Sequence, residues 1–523
     1  ALRAGPRVTR VLVLGLDSAD AELIERWADA GHLPTFAALR REGTWGRLGT
    51  TAEVLHVSAW PTIYTGARPG HHGLYHAYQA RAGTQALHRT RVEWGALPAF
   101  WQLLDRAGRR CLVIDAFMDR PLDDFGGTQV VEYGTWTWFS DPGGRPKRLY
   151  RELMRRFGPY PAPEHSKVLT VPDPAWFRDQ LVAGARRKGE VVRWLLDRTA
   201  WDLAFIGFGE PHGAGHYLWH LGDGSYPSHP AALTPGTEHA LRDVYRAVDE
   251  ALAAILDGTG GDTTVLVTSG DGMGPNYSGC HHVPEVLHRM GLFHGAGVGA
   301  TAAPGAAPAK KGGLAAAVRQ AIPLSVRQAV TRCLPRSVHY RLSMKWVNSA
   351  IDWERSQAFC IPNSNEAYVR VNLRGREPRG TVAPEAVGEL LARIGERVGE
   401  LTVPGSGRRA AERIFNLDQV FPGPERPHLP DLSVTWDPVA RTLREVESAA
   451  VGRIAGRAGY EIAPYYTGNH RAAAFVAARG PGAPAAIPAD GHIVDLPATV
   501  FALLGAERPK HFEGQAWALR PRS

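Results

Sequence analysis

The chain has 523 residues, 44% of them hydrophobic, enough for a sizeable core and too apolar for a disordered chain. Its net charge of +8, from 60 basic and 52 acidic residues, is spread thinly. That suits a small anionic substrate and argues against nucleic-acid binding, because no basic stripe or recognition motif accompanies it. No apolar run approaches the roughly 18 residues of a membrane helix, and Ala1 to Thr9 holds no apolar signal-peptide segment. The cysteines Cys111, Cys280, Cys333 and Cys360 form neither a CxxC pair nor a dense framework, so a reducing, cytoplasmic setting is expected.

The first element is the aliphatic run from Arg10 to Leu16, read as a strand buried on both faces and ending in Asp17. A carboxylate there sits where open α/β sheets place their ligands, although Asp17-Ser18-Ala19-Asp20 also reads as the cap of a following helix. Short helices are expected over 20–30 and 34–42, with Gly31 and Gly43 as stops, and another over Ala59–Thr65. A helix from Pro98 to Arg106, a strand over 111–115 and a long amphipathic stretch over 174–198 follow. Next come a strand over 201–208, a helix near 237–257 and a strand over 263–268. This alternation predicts βαβ units: an α/β fold with a largely parallel central sheet, helices on both faces, and a smaller cap or insert region. Residues 296–313 are rich in Gly, Ala and Pro and read as a linker, and about 314–350 as a basic helical insert. The division expected is a catalytic domain over 1–295 and 351–523, with 296–350 as linker and helical insert or cap. Strands over 358–361 and 366–373 and a helix over 384–399 come next. Runs at 431–436 and 473–478 read as strands returning to the central sheet, and 493–504 as a closing helix.

Metal-ligand residue types recur after these strands. The strand ending at Phe208 runs into Glu210, His212 and His216, where Gly213 and Gly215 favour a loop that folds both imidazoles onto one ion. The strand ending at Thr268 runs into Gly270-Asp271-Gly272, glycines that permit close backbone approach to an acid. His470 precedes the strand over 473–478. Singly, each is more often structural; together, two carboxylates and several imidazoles at strand ends suit one or two divalent transition-metal ions.

These residues lie in segments that resemble the alkaline phosphatase superfamily, specifically its type I phosphodiesterase/nucleotide pyrophosphatase branch. "AWPTIYTGARPGHHGLYH" is similar to the family's "AWTSFxTGxxPGxHGIF", "GEPHGAGH" to "EPDxxGH", "SGDGMG" to "SDHGMG", and "TGNHRAAAFVAARGPG" to "xGxHRxxGxxxxxGPG". "HLPTFAALRREGTWGRL", "VNLRGREPRG" and "IVDLPATVFALLG" match as well, so the likeness runs from Val11 to about Gly514. The resemblance implies an alkaline phosphatase-like fold and metal-dependent chemistry at a phosphate, phosphodiester or sulfate ester. It retains Asp17, His216 and His470 and departs at four positions. His56 stands where the family has its Thr or Ser nucleophile, His212 replaces an Asp, and Gly270-Asp271 replace an Asp-His pair. Three of the four still carry good ligands, which favours a rebuilt site over a dead one. In the family's geometry, His212, His216 and His470 would surround one ion, and Asp17, Asp271 and His56 a second. Zinc is the first expectation, with iron or manganese as alternatives.

The attacking group is then expected to be a metal-activated hydroxide first, His56 second through a phosphohistidine, and Ser58 third, with Thr50 and Thr51 nearby. Arg376 and Asn276 are candidate substrate contacts, since Arg holds phosphate or sulfate in bidentate fashion; a salt bridge to Glu377 is the competing reading for Arg376. His281, with His282, could line the pocket or lie on the surface. Trp136, Trp138 and Trp219 read either as an aromatic wall or as core. Two alternatives keep the fold and drop the hydrolysis: a recruited non-haem iron oxygenase or lyase using two histidines and one carboxylate, and a non-catalytic binding protein.

Overall fold

The computed structural model describes residues 10–134, 140–163, 173–295, 322, 336–349, 351–442, 444–455 and 466–521. The expected linker over 296–313, most of the insert to 335, and Trp136 and Trp138 therefore lie outside the described residues.

Alternation along the first strand, Arg10–Leu16, sets the layers. Val11 and Val13 point to one face, into a core with Trp60, Phe205 and Phe501. Leu12, Leu14 and Leu16 point to the other, where the helices Ala21–Asp29, Pro34–Glu42, Pro174–Arg198 and Ala240–Asp257 pack. Burial on both faces is why this strand lacks polar alternation.

Arg10–Leu16 pairs in parallel with Leu203–Phe208 on one side and Thr263–Ser269 on the other. Cys111–Ile114 and Thr128–Val131 extend the parallel set. Ala474–Arg479 pairs antiparallel with both Thr263–Ser269 and Thr44–Leu48, and Gly143–Arg145 antiparallel with Thr128–Val131, completing eight strands. The fold is thus the α/β architecture with a largely parallel sheet that the alternation predicts. Because the three central strands run the same way, Asp17, Gly209 and Gly270 all leave the sheet at one edge.

A second sheet, entirely antiparallel, has the order Ala358–Ile361, Ala367–Val371, Leu432–Trp436, Ala411–Asn416. It has its own core, covered by Val283–Arg289 and Val387–Gly399. The expectation that 431–436 returns to the central sheet is therefore corrected. A short apolar run specifies a strand but not its partner, and Leu432–Trp436 finds Ala367–Val371 and Ala411–Asn416. The run at 473–478 does return to the central sheet. No helix among the described residues is long and apolar enough to cross a membrane.

One buried ion pair fastens a helix beneath the site edge. Lys188, on Pro174–Arg198, donates to Asp115 Oδ2 at 2.5 Å and to the carbonyl of Gly207 at 3.1 Å, with both charged side chains wholly inaccessible. Lys188→Met would strand the Asp115 charge, and is expected to lower the unfolding free energy by about 3–5 kcal/mol, read as a fall in the urea midpoint.

Candidate metal and phosphoester site

Asp20, and not Asp17, caps the helix Ala21–Asp29, accepting from the amides of Glu22 and Leu23. Between the two acids Ser18 adopts φ +51°, a left-handed conformation worth roughly 1–2 kcal/mol of strain in a non-glycine residue. This turn leaves Asp17 for the site. Its Oδ1 accepts from the Trp60 indole at 2.6 Å, and its Oδ2 lies 3.5 Å from His212 Nδ1. The indole reaches Asp17 across Gly15, where a Cβ would stand 2.9 Å from the Trp60 ring.

His212 and His216 lie on an α-helix, Glu210–Gly222, so the expected loop is corrected. Two glycines cost such a helix about 1 kcal/mol each, but here they are packing positions. A Cβ on Gly215 would meet Met273 at 2.7 Å, and one on Gly468 would meet the Gly215 carbonyl at 2.1 Å. The pair Gly272–Pro275 and Gly468–Arg471 forms an antiparallel ribbon pressed against this helix, with Met273 opposite His470. Helical i,i+4 spacing puts both histidines on one face, toward His470. Arg471 then ties the ribbon to the first loop through Asp20, at 2.6 and 2.7 Å.

The ligand atoms of His212, His216 and His470 all lie within 4.8 Å of one another. Each Nδ1 faces an oxygen. His216 donates to the Gly468 carbonyl at 2.9 Å, His470 to Asp271 Oδ2 at 2.7 Å, and His212 faces Asp17. With Nδ1 so engaged, Nε2 is the atom each ring would offer to an ion. His212 Nε2 and His470 Nε2 stand 3.2 Å apart. Nitrogens at about 2.0–2.1 Å from a tetrahedral zinc would be separated by roughly 3.3 Å, so this pair fits one ion, with the third donor, on His216, within 4.8 Å of both. Asp271 acts here on a histidine: its Oδ2 holds His470 and accepts from Ser18 Oγ at 3.3 Å, while its buried Oδ1 has no hydrogen-bond partner. Burial alone would lower the His470 imidazole, but Asp271 lifts it above its ordinary range. Among the described residues, Asp17, Asp271 and His56 do not close into a second cluster of that tightness.

His56 opens a short 3-10 turn before the helix Ala59–Thr65, and its ring stacks on His470 with centroids 4.5 Å apart. Its Nδ1 donates to Glu366 Oε2 at 2.7 Å, and its backbone N–H to Oε1 at 3.3 Å. Asn363, Asn365 and the Tyr368 hydroxyl also donate to this carboxylate. Burial would raise the Glu366 carboxyl, yet His56, with a backbone amide and Asn363, holds it down to about 2. His76 packs edge-on to His56, and burial pushes its own imidazole down to about 3. Sequence reasoning missed Glu366, Trp60 and His76. Glu366 was read only as the start of a strand, and its partner is 310 residues away.

Other candidate contacts are drawn elsewhere. Ser58 donates to the Leu55 carbonyl at 2.6 Å and to Thr51 Oγ1 at 2.8 Å. Asn276 is buried, donating to the Tyr466 carbonyl and accepting from Asn469. His281 lies against His282, ring centroids 3.9 Å apart, in a short turn before Val283–Arg289. Trp219, also half-buried, lines a separate cleft with Trp27, Arg26 and Arg242. Arg376 sits beyond the far end of Ala367–Val371 from Glu366. It is bidentate to Asp431 at 2.7 and 2.8 Å and bonded to Glu377 at 3.0 Å, so the salt-bridge reading describes it.

Residues 11–461 match the family described as type I phosphodiesterase/nucleotide pyrophosphatase. A comparison with curated proteins returns no match. Among solved structures, the chain is similar to phosphonoacetate hydrolase from Sinorhizobium meliloti 1021 in complex with phosphonoformate, at 13% identity, 96% coverage of each chain and a TM-score of 0.50. It is also similar to murine ectonucleotide pyrophosphatase/phosphodiesterase 5, at 13% identity, 96% coverage of each chain and a TM-score of 0.44. At such identity the first of these bears on the fold alone.

The Arg376 pairing has a measurable consequence. Burial would raise the Asp431 carboxyl, but Arg376 brings it down to about 2, against an ordinary value of about 3.9. A depressed folded-state value contributes stability that is present above about pH 4 and is lost as pH falls toward 2. Arg376→Ala is expected to cost about 3 kcal/mol at pH 7 and to flatten that acid limb, measured by urea unfolding at pH 7 and pH 3, with metal content unchanged.

Proposed function

The chain belongs to the type I phosphodiesterase/nucleotide pyrophosphatase family, and on that premise we propose that it hydrolyses a phosphate, phosphodiester or sulfate ester of a small anionic molecule at a single-ion, three-histidine centre. The observation that carries this reading is the convergence of His212, His216 and His470, their ligand atoms within 4.8 Å of one another and each Nδ1 turned to an oxygen. Three imidazoles with an open position are a donor set of catalytic zinc sites. The close cluster does not offer the two-histidine, one-carboxylate set of the iron oxygenase alternative.

When bound, such an ion supplies Lewis acidity to the non-bridging oxygens of the ester. The chain supplies the rest. Asp271 and the Gly468 carbonyl hold His470 and His216 in one tautomer and orientation, and Asp17 faces His212 in the same sense. Trp60 fixes Asp17 from beneath, and Ser18 helps fix Asp271. All these groups are buried except the partly buried His470, so water is largely excluded and charge interactions there are strong. The net charge of +8 favours approach of an anion.

Chelated and reloaded protein is expected to take up about one zinc per chain and to release nitrophenolate from at least one of p-nitrophenyl phosphate, bis(p-nitrophenyl) phosphate and p-nitrophenyl sulfate. Elemental analysis and absorbance at 405 nm read both. His216→Ala should abolish stoichiometric zinc, and Asp271→Asn should weaken zinc binding by about 10–100-fold. Protein that binds zinc but cleaves none of the three esters, or that binds no metal, would sink the reading.

A further inference from the structure

Within the phosphoester reading above, on which this rests, we infer that the attacking atom is Nε2 of His56 and that Glu366 is the residue that positions it. In the family pattern this place holds a hydroxyl, and the neighbouring hydroxyls are all engaged. Ser58 donates to Leu55 and Thr51, Thr50 donates to the Gly270 carbonyl at 2.6 Å, and Thr51 shares a hydrogen bond with Thr62 at 3.3 Å. Ser18 is wholly buried and lies against Asp271 and His470. His56 differs from each of these. Its Nδ1 proton is donated to a carboxylate, so in the neutral ring Nε2 carries the lone pair, and no group among the described residues bonds to that atom. His56 is not a member of the tight three-histidine group, yet its ring lies against His470, one of that group. A nucleophilic imidazole beside an electrophile-binding centre, oriented through Nδ1 by a buried carboxylate, is the arrangement covalent catalysis requires.

The step balances as follows. The Nε2 lone pair forms an N–P bond while the bond from phosphorus to the leaving oxygen breaks. That oxygen leaves with the electron pair and takes its proton from solvent. The imidazolium keeps its Nδ1 proton in the hydrogen bond to Glu366, which offsets the new positive charge. Water then attacks phosphorus, the N–P pair returns to Nε2, the water's proton passes to solvent, and neutral His56 is restored. Glu366 does not touch phosphorus. It has four further donors, from the His56 backbone, Asn363, Asn365 and Tyr368, and these keep its carboxylate aimed at the ring.

The test uses the full chain reloaded with zinc, and whichever of p-nitrophenyl phosphate and bis(p-nitrophenyl) phosphate it cleaves. Alkaline quench during turnover, followed by peptide mass spectrometry, should find a base-stable, acid-labile phosphoryl group on His56. His56→Gly should lose turnover by at least about 100-fold while keeping zinc. Added imidazole should restore release of nitrophenolate, with N-phosphorylimidazole visible by phosphorus NMR. Glu366→Gln should lower kcat by roughly 100-fold with KM and zinc content unchanged. If His56→Gly turns over at the parent rate, or its loss is not rescued by imidazole, or the phosphoryl group is found on Ser58, the inference falls and the phosphoester reading stands. If the parent protein binds zinc and cleaves neither phosphate ester, His56 has nothing to attack and the inference falls on that result alone; cleavage of the sulfate ester in its place would keep the hydrolase reading without it.

Discussion

The hydrogen bond from a histidine Nδ1 to a buried oxygen is the interaction on which the site depends. It occurs at His216, His470 and His56, and His212 faces Asp17 in the same sense. An imidazole left to itself samples two tautomers and a range of ring rotations. An acceptor on Nδ1 removes both freedoms and makes Nε2 the working atom. Four rings so treated, three converging and one beside them, give the site its chemistry before any ligand arrives. The oxygens come from four different stretches of the chain, so the fold's task is to bring acceptors to histidines as much as to bring histidines together.

That task is performed by the sheet and by missing side chains. Parallel pairing of the three central strands delivers Asp17, the site helix and Asp271 to one edge. Gly15 lets Trp60 slide beneath the first strand to reach Asp17, and Gly215 and Gly468 let the ribbon bearing His470 touch the site helix. A Cβ at Gly468 would stand 2.1 Å from the Gly215 carbonyl, so a side chain there would push the ribbon off the helix. The second sheet contributes from the far side, since Glu366 precedes its strand Ala367–Val371 and reaches His56.

What the sequence made legible follows the same physics. Continuous aliphatic runs marked the buried parallel strands, and ligand types at their ends marked Asp17, His212, His216, Asp271 and His470, because strand ends are where such sheets bind. Three things stayed hidden. Helix Glu210–Gly222 was hidden by its glycines, whose conformational cost is visible in sequence while their packing gain is not. Glu366 was hidden because nothing local sets an acid that orients a distant histidine apart from any other acid. Arg376 was ambiguous because a guanidinium suits a phosphate and a buried Asp431 equally, and only the tertiary contact decides. The strand Leu432–Trp436 was visible as a strand, but pairing is a non-local property.

The departure from the family pattern at Gly270-Asp271 now has a physical sense. At position 270 a Cβ would stand 2.9 Å from that of Ala59, and the Gly270 carbonyl accepts the Thr50 hydroxyl, so the backbone passes close against the segment that carries His56. The carboxylate one residue later reaches His470 at its Nδ1. An acid there serves a histidine from behind, and the three-imidazole cluster forms without a carboxylate in it. The two altered segments meet at His470, whose Nδ1 is bonded to Asp271 and whose ring lies against His56.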